Sequence, residues 1–369
     1  MLKTRLLKCI DGWIGGLAVR CMPRPVPAGM PQLRSVLLIR PGGIGDAALL
    51  PPVIRLMRCR YPDARITVLA ERRNGPIFAL CPTVDRVLLY DRPRELLAAI
   101  RGGYDVVIDT EQWHRLSAVV ARLTRAQVSI GYATNERQRL FSHPIPYSHD
   151  DYELDSFHHL LRPLGIDPPA ESDVPFLFVP ESAERAAMAL LGASAERAFV
   201  VIFPGASIPE RRWGAERFRE LARRLHDAGA NVVVVGGEGD RADGELICSD
   251  SVGFNLAGRT SLVESAAVIN RAALLVSGDS GLLHVGVGLG VPTVSLFGPG
   301  IAAKWAPRGE AHIVLDKRLS CSPCTRFGYT PRCRDNGRCL KEITVDEVEL
   351  AVMRLLSRAR ERKNIGLGR

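Results

Sequence analysis

Short apolar runs alternate with amphipathic stretches along this chain, a pattern that predicts parallel β-strands connected by helices. The apolar runs that have the length of buried strands are 36–40, 66–70, 86–90, 106–109, 199–203, 231–235, 272–277 and 293–297. Helical periodicity follows the strands, most clearly over 47–60 and 213–228. Strands that alternate with helices in this way favour an α/β fold with parallel sheets.

The pattern weakens and prolines accumulate near 151–184, which divides the chain of 369 residues into two halves. Since domains average about 150 residues, we expect two Rossmann-like domains, an N-terminal one over 35–180 and a C-terminal one over 181–345. Their sheets would face a central cleft, with ligands bound at the carboxyl ends of the strands. A single elongated α/β sheet is the alternative, which the length and the mid-chain break disfavour.

Residues 1–34 and 346–369 lie outside these domains, the second as a basic helix and tail. Near the start, apolar residues recur at helical spacing beside basic ones: Leu6, Leu7, Ile10, Trp13, Ile14, Leu17 and Ala18. This helix, followed by a proline-rich linker, allows two interpretations, a helix lying on an anionic membrane or one docked on the protein itself. Asp11 interrupts any signal-peptide core. No apolar stretch reaches the roughly 18 residues of a membrane-spanning helix.

The net charge of +9 and the sequence pI of about 9.3 favour acidic partners. Nucleic acid, an anionic membrane and a phosphorylated substrate all meet that requirement. The motifs described next favour the phosphorylated substrate, and we expect no nucleic-acid partner.

Residues 278–284, Gly-Asp-Ser-Gly-Leu-Leu-His, lie between two apolar segments and predict a tight turn that opens a helix. Free backbone N–H groups at a helix N-terminus bind phosphate. A second loop, 204–213, places Ser207 and Arg211 ahead of a helix, where they could clamp a diphosphate. Glu238, after the strand at 231–235, could accept hydrogen bonds from a nucleoside. The alternatives are that 204–213 is only a surface loop anchored by Trp213 and that Glu238 is only a solvated acid.

The turn 42–46 joins the first predicted strand to the first helix of the N-terminal domain. Ala48 stands where the third glycine of a dinucleotide fingerprint is usual, and the acidic residue expected about 20 positions later is poorly placed, which weakens that interpretation. Asp46 opens the helix. It could cap the helix, which the spacing alone favours, or it could be an exposed carboxylate that takes a proton.

Four of the nine cysteines cluster near the end of the C-terminal domain: Cys321, Cys324, Cys333 and Cys339. Four thiols so close in sequence permit a tetrahedral structural zinc site, although the spacing is not that of a standard zinc ribbon. Disulfides are the rival, which a reducing cytoplasm disfavours. Free or redox-labile thiols are the interpretation that we favour.

These motifs occur in the same order in glycosyltransferase family 9, the ADP-heptose:lipopolysaccharide heptosyltransferases, which the chain resembles over 35–348. The residues that carry the resemblance are Gly43-Ile44-Gly45-Asp46 with Pro51, Pro204-Gly205-Ala206-Ser207 ahead of Arg211-Arg212-Trp213, Gly278-Asp279-Ser280-Gly281 with His284, and Phe297-Gly298-Pro299 with Trp305. The resemblance implies the GT-B fold, with the acceptor on the N-terminal domain and the nucleotide sugar on the C-terminal one. It also implies an inverting transfer of heptose that needs no metal or other cofactor.

The resemblance also implies roles for single residues. It implies that Asp46 is the general base and not a helix cap. The residues implied for the nucleotide sugar are Ser207, Arg211, Glu238, Asp279, Ser280, Gly281 and His284. Many family members carry lysine at the position of Arg211. Because the positive charge is kept, we expect diphosphate binding to be retained, while the identity of the donor sugar stays open.

The implied acceptor is the lipopolysaccharide core or a related glycolipid, so we expect a cytoplasmic protein, peripheral on the inner-membrane surface. Candidate acceptor contacts are Gly43, Gly45, Arg72, Arg73, His114, Arg115, Arg137 and Arg139. Three alternatives stay open. They are a GT-B enzyme that uses another nucleotide sugar, a nicotinamide-dependent oxidoreductase, and a non-catalytic nucleotide-sugar binding protein.

Overall fold

The computed structural model describes residues 10–26, 29–169, 174–192, 197–249, 252–326 and 329–364. The predicted helical positions Leu6 and Leu7 and the end of the basic tail lie outside these residues. The chain divides into two units, Met1–Asp173 and Val174–Arg369.

Unit 1 contains a six-stranded parallel sheet in the order β3-β2-β1-β4-β5-β6. Its strands are β1 Ser35–Arg40, β2 Arg65–Ala70, β3 Arg86–Leu89, β4 Val106–Asp109, β5 Val128–Tyr132 and β6 His143–Ile145. A π-helical turn at Asp11–Gly15 leads directly into the first α-helix. The α-helices are Gly16–Cys21, Ile44–Ala48, Pro51–Arg60, Pro93–Ile100, Arg115–Leu123 and Glu153–His159, and the 3₁₀ turns are Gly75–Leu80, Glu136–Leu140 and Arg162–Leu164.

Unit 2 repeats the plan, with a parallel sheet in the order β12-β11-β10-β7-β8-β9. Its strands are β7 Phe199–Phe203, β8 Asn231–Val234, β9 Phe254–Asn255, β10 Leu274–Gly278, β11 Thr293–Phe297 and β12 His312–Asp316. The α-helices are Glu181–Leu191, Ala215–Asp227, Arg241–Ile247, Leu262–Arg271, Gly281–Gly288, Ala302–Trp305, Arg338–Lys341 and Val345–Asn364, and 3₁₀ turns lie at Pro209–Arg211 and Glu238–Asp240.

The central strands form because their residues can be buried on both faces of a sheet. All six residues of β1 are buried, and Leu37 pairs with Thr67 of β2 and Val107 of β4. Strands buried on both faces are typical of parallel sheets that helices cover. In unit 2 the helix Ala215–Asp227 packs Phe218 against the sheet in the same way.

Both sheets have the strand order of the Rossmann fold. In this order the second and third strands lie on one side of the first strand and the later strands lie on its other side, so the order of strands reverses there. The reversal falls between β1 and β4 in unit 1 and between β7 and β10 in unit 2. The loops that follow these four strands therefore lie at the ligand-binding positions of the fold. The α/β class with two Rossmann-like units is confirmed. No helix in the described ranges is both long and apolar enough to cross a bilayer.

Candidate functional site

Asp46 lies in the short helix Ile44–Ala48, which begins at the carboxyl end of β1. The N-cap of this helix is Gly43, and no side chain caps it, so the capping role that the spacing favoured is wrong. Gly42 has a φ of +105°, a backbone conformation that disfavours any residue with a side chain. A Cβ atom on Gly43 would lie 2.7 Å from Asp46 Oδ2. The two glycines thus leave room for the Asp46 carboxylate beside the turn.

The Asp46 carboxylate has polar neighbours within unit 1 and an opening to solvent. The Gln112 amide donates to Asp46 Oδ1 at 3.3 Å, and the Arg40 guanidinium lies 4.0 Å from the same oxygen. The Asp46 side chain keeps 20% of its surface exposed. The carboxylate is therefore oriented by neighbours on the protein side and open to solvent on the other.

Arg40 is a fully buried cation at the end of β1. It donates to the Pro41 and Thr110 carbonyls at 2.7 and 2.8 Å and to the Glu111 carboxylate at 2.8 Å. Burial alone would lower the pKa of Arg40, but the attraction of Asp46 and Glu111 outweighs it and raises the pKa above its ordinary value. A fixed positive charge therefore lies behind Asp46.

Gln112 connects Asp46 to a second carboxylate. Its Nε2 also donates to Glu153 Oε1, and Glu153 is completely buried. Tyr147 donates its hydroxyl to the other Glu153 oxygen at 2.9 Å. Burial and then the Glu153 charge raise the pKa of Tyr147 above its usual range, so the hydroxyl keeps its proton. Because Nε2 carries two hydrogens, one amide serves both carboxylates.

The sequence did not single out Arg40, Gln112, Tyr147 or Glu153. Arg40 ends β1, and Gln112 follows the neighbouring strand β4 by three residues. Polar residues directly after adjacent parallel strands meet at one edge of the sheet, a signal that could have identified both. Nothing in the local sequence points to Glu153, which lies more than 40 positions beyond β4.

The predicted acceptor residues have different environments in unit 1. Gly43 is the N-cap of the helix that carries Asp46, and Gly45 lies in that helix directly before Asp46. Arg72 and Arg73 are exposed, and with Glu71 and Asp91 they line an open cavity of about 280 Å³. Arg139 is partly buried.

His114 and Arg115 contact the N-terminal helical segment. His114 Nδ1 lies 3.4 Å from the Asp11 carboxylate, and Arg115 Nε donates to Glu136 at 2.8 Å. Arg137 is fully buried, where it forms an ion pair with Asp109 and donates to the Glu111 carbonyl. Arg137 is therefore a structural cation, and the prediction that it contacts an acceptor is corrected.

In unit 2, the run 278–284 forms the turn and helix that the sequence predicts. Ser280 is the N-cap of the helix Gly281–Gly288, and its hydroxyl accepts from the Leu283 N–H at 3.2 Å. The Ser277 hydroxyl lies 2.8 Å from that of Ser280. Ser280 and Gly281 are partly exposed, so the first N–H groups of this helix are accessible to an anion.

Arg211 reaches this turn from the loop that follows β7. Its Nη1 lies 2.9 Å from Asp279 Oδ2, and both side chains are largely buried. A Cβ atom on Gly278 would lie 3.1 Å from the Arg211 carbonyl, and one on Gly300 would overlap the Asp279 carboxylate. The glycines therefore allow the two loops to approach closely.

His284 faces the same region from the helix Gly281–Gly288. Burial, and then the charge of Arg211, lower the pKa of His284 to about 4, so the imidazole is neutral at pH 7. Its ring lies edge-on to that of Trp305, with centroids 6.0 Å apart. Among the described residues, no hydrogen-bond partner exists for buried His284 Nδ1 or Arg211 Nε. Buried polar atoms without partners are rare in folded proteins and need an explanation.

Ser207 and Glu238 follow β7 and β8 and are exposed. Glu238 Oε1 lies 3.8 Å from Arg241 Nη1. A Cβ atom on Gly258 would lie 2.6 Å from Glu238 Oε2. The strands β10, β7 and β8 are adjacent and parallel. The loops that follow them, which carry the predicted nucleotide-sugar residues, therefore lie side by side at the carboxyl ends of these strands.

An ion pair missed by the sequence analysis connects two of these loops. Arg212 lies 3.4 Å from Asp240 Oδ1, and the other Asp240 oxygen accepts from the Gly237 N–H at 3.0 Å. This pair joins the loop after β7 to the loop after β8. Asp240 could have been found as a second acid in the 3₁₀ turn that contains Glu238.

The four clustered cysteines are free thiols of differing exposure. Cys321 is exposed and Cys339 is buried, while Cys333 Sγ accepts from the Gly337 N–H at 3.1 Å. Burial is the largest cause that raises the pKa of Cys324 and Cys339. Within the described ranges, no group of three or more cysteine, histidine or acidic residues is placed to hold a metal ion. The zinc site therefore stays a prediction that this geometry does not support.

The chain is similar to proteins of known family and known structure. Residues 94–330 match the model of "Glycosyltransferase family 9 (heptosyltransferase)". Lipopolysaccharide heptosyltransferase 3 of Escherichia coli is 28% identical over 289 residues, which cover 71% of this chain and 83% of that protein.

Solved structures of similar fold include two Escherichia coli enzymes. The ADP-heptose lipopolysaccharide heptosyltransferase II has a TM-score of 0.72 at 24% identity, covering 88% of this chain and 99% of that one. A heptosyltransferase with ADP-2-deoxy-2-fluoro heptose has a TM-score of 0.67 at 20% identity, with coverage of 87% and 99%. At these identities the structures establish the fold alone.

Proposed function

Because the chain belongs to glycosyltransferase family 9, we propose that this glycosyltransferase moves heptose from ADP-heptose to a lipopolysaccharide core or related glycolipid. Relatives named as lipopolysaccharide heptosyltransferases support the acceptor class. A fold neighbour whose title includes ADP-2-deoxy-2-fluoro heptose supports the donor.

The observation that carries this proposal is the grouping of donor-binding candidates at one edge of the unit 2 sheet. Arg211 and the first N–H groups of the helix Gly281–Gly288 offer positive charge to a diphosphate. Ser207 supplies a hydroxyl, and Glu238 accepts from the ribose or the base. Arg211 Nε and His284 Nδ1 have no hydrogen-bond partner among the described residues, which indicates a polar region with capacity left for a ligand.

The proposed reaction inverts the anomeric carbon in one displacement. Asp46 accepts the proton of an acceptor hydroxyl while that oxygen forms a bond to the anomeric carbon. The bond between this carbon and the donor phosphate oxygen breaks, and ADP leaves with the bonding electrons. Arg211 and the helix N-terminus stabilise the negative charge that develops on the diphosphate. This mechanism uses no metal ion or other cofactor.

The environment of Asp46 suits a general base. The fixed positive charge of Arg40 lies behind the carboxylate, and the Gln112 amide orients Oδ1. The second carboxylate oxygen, beside Gly43, is left to receive the proton. General-base catalysis contributes about 10²- to 10⁴-fold to a rate.

We further propose that Arg72 and Arg73 contact anionic groups of the acceptor at their open cavity. Both side chains are exposed and keep charge available beyond their local ion pairs with Asp91 and Glu71. Because the proposed acceptor is a lipid, we also propose a cytoplasmic location at the inner face of the membrane.

The experiment that tests this function supplies the purified protein with several nucleotide sugars and a heptose-free lipopolysaccharide core. We expect ADP release and sugar transfer with ADP-heptose, and little of either with UDP- or GDP-sugars. Transfer from another nucleotide sugar alone would replace the proposed donor, while hydride transfer to a nicotinamide without any sugar turnover would overturn the proposal.

A further inference from the structure

The helical segment of residues 10–21 presents three large apolar side chains to solvent. Its buried positions are Asp11, Gly15, Gly16 and Val19, which recur at helical spacing on one side. Trp13, Ile14 and Leu17 lie on the other side, where 83%, 59% and 65% of their surface is exposed. This arrangement is the reverse of an ordinary surface helix, whose apolar residues face the core.

Asp11 fixes this orientation. Its carboxylate accepts from the backbone N–H groups of Arg115 and Leu116, each at 2.9 Å, and therefore caps the helix Arg115–Leu123. Burial opposes ionisation, but hydrogen bonds from His114 and this backbone outweigh it and lower the pKa of Asp11. The segment is thus held on unit 1 through its polar residue.

Close contact at the glycines supports the same orientation. A Cβ atom on Gly15 would lie 2.9 Å from the Arg115 Cβ atom, so only glycine allows the segment to lie this close to the helix Arg115–Leu123. A rotation that buried Trp13 would break the Asp11 contacts and separate this packed face. The exposed apolar side is therefore a stable feature of the fold.

The sequence around this segment is strongly basic. Within residues 1–34 the basic residues are Lys3, Arg5, Lys8, Arg20, Arg24 and Arg34, and the single acid is Asp11. Of the described basic residues, Arg20 and Arg24 are exposed, whereas the Asp11 carboxylate is buried against the helix Arg115–Leu123. Val26, in the chain that follows the segment, is also 81% exposed.

We propose that Trp13, Ile14 and Leu17, the apolar surface, insert into the interfacial region of an anionic lipid bilayer. Tryptophan favours this region, and basic residues beside an apolar helix face add attraction to anionic headgroups. A protein partner would need an acidic apolar surface, whereas an anionic membrane supplies both properties directly. The inference rests on the proposed peripheral location and is independent of the proposed reaction.

Vesicle flotation of the full chain tests the inference, with phosphatidylcholine vesicles that contain or lack phosphatidylglycerol. We expect binding to the anionic vesicles, and a partition coefficient at least about 10-fold lower for a Trp13→Ser, Ile14→Ser, Leu17→Ser variant. Met188→Ser is the matched control, because Met188 is an exposed apolar residue of unit 2. It should bind as the unchanged protein does.

Two further measurements separate the alternatives. Trp13 emission should shift to the blue with anionic vesicles and be quenched by lipids brominated in the acyl chain, and Trp13→Phe should lose this signal while still binding. Equal flotation of the triple variant and the unchanged protein would overturn the proposal. So would a dimer in light scattering that the triple variant abolishes, without any vesicle binding. Transfer to a soluble core acceptor, measured beside these tests, reports the proposed function separately.

Discussion

The Arg211 guanidinium forms an ion pair with the Asp279 carboxylate, 2.9 Å from Nη1 to Oδ2. The pair joins the loop after β7 to the turn after β10, two adjacent strands. A cation placed by a largely buried carboxylate loses little entropy when it binds a diphosphate, because its orientation is already set. Asp279 therefore acts on the donor through Arg211 in our account.

Arg211→Ala should lower kcat/KM for the nucleotide sugar by about 10²-fold, the loss expected from one charge-stabilising group. Asp279→Asn should cause a smaller loss, mostly in KM, because Arg211 remains but is less well positioned. The double variant should lose less than the sum of the two in free energy. Arg223→Ala is the control, since Arg223 is exposed and pairs within its own helix. Additive effects would show that the ion pair has no part in donor binding.

Gln112→Glu tests the contact between Gln112 and Asp46. The variant places a third carboxylate between Asp46 and Glu153, and like charges raise the pKa of a carboxyl group. Because the proposed base must be ionised, the acidic limb of the pH–kcat/KM profile should move to higher pH. Gln112→Ala, which adds no charge, should lower kcat about 10-fold with less movement of that limb. Superimposable profiles for both variants would contradict a positioning role for Gln112.

His284 predicts a pH dependence of stability. Its pKa is lowered from 6.5 to about 4 in the folded protein, so the unfolded chain binds the proton more readily. The free energy of unfolding should therefore fall as the pH drops from 6.5 towards 4, by about 3 kcal/mol from this residue. His312, whose pKa burial also lowers to about 4, should contribute in the same direction.

Urea unfolding at several pH values measures this contribution of His284 to the free energy of unfolding. In His284→Gln the decrease between pH 6.5 and 4 should be smaller than in the unchanged protein, whereas exposed His226→Gln should leave it unaltered. An identical pH dependence in His284→Gln would mean that His284 titrates normally in the folded state.

The clustered cysteines predict reduced thiols without bound metal. Protein purified without chelator should contain less than about 0.1 equivalent of zinc or iron, since the described residues include no group placed to hold a metal. A thiol count under denaturing conditions should find all nine thiols of the chain, the four clustered ones included. Stoichiometric metal that Cys333→Ser releases would support the site that the spacing permits.

The apolar runs predicted the central strands well because burial on both faces leaves a strong local pattern. Strands β4, β7 and β11 have the predicted limits. Four strands, β5, β6, β9 and β12, were not predicted. Three of them, β6, β9 and β12, lie at a sheet edge and β5 lies second from one, and β9 has only two residues, so their pairing depends on neighbours distant in sequence.

The candidate site was predictable where residues follow adjacent strands, as Arg211 and Asp279 do. It was not predictable where a buried charge depends on a distant partner. Arg137 suggested surface chemistry because most arginines are exposed, yet Asp109, which lies 28 positions earlier, holds it in the interior. Arg40 is buried for the same reason, through a carboxylate 71 positions away.

Asp46→Asn tests the central claim most directly, with Asp63→Asn as an exposed control. Asparagine keeps the size of the side chain and an oxygen for the Gln112 amide, and it removes the negative charge together with the ability to take a proton. We predict a fall in kcat for sugar transfer of about 10²- to 10⁴-fold with unchanged ADP affinity by calorimetry. Turnover of Asp46→Asn close to that of the unchanged protein would contradict Asp46 as the general base.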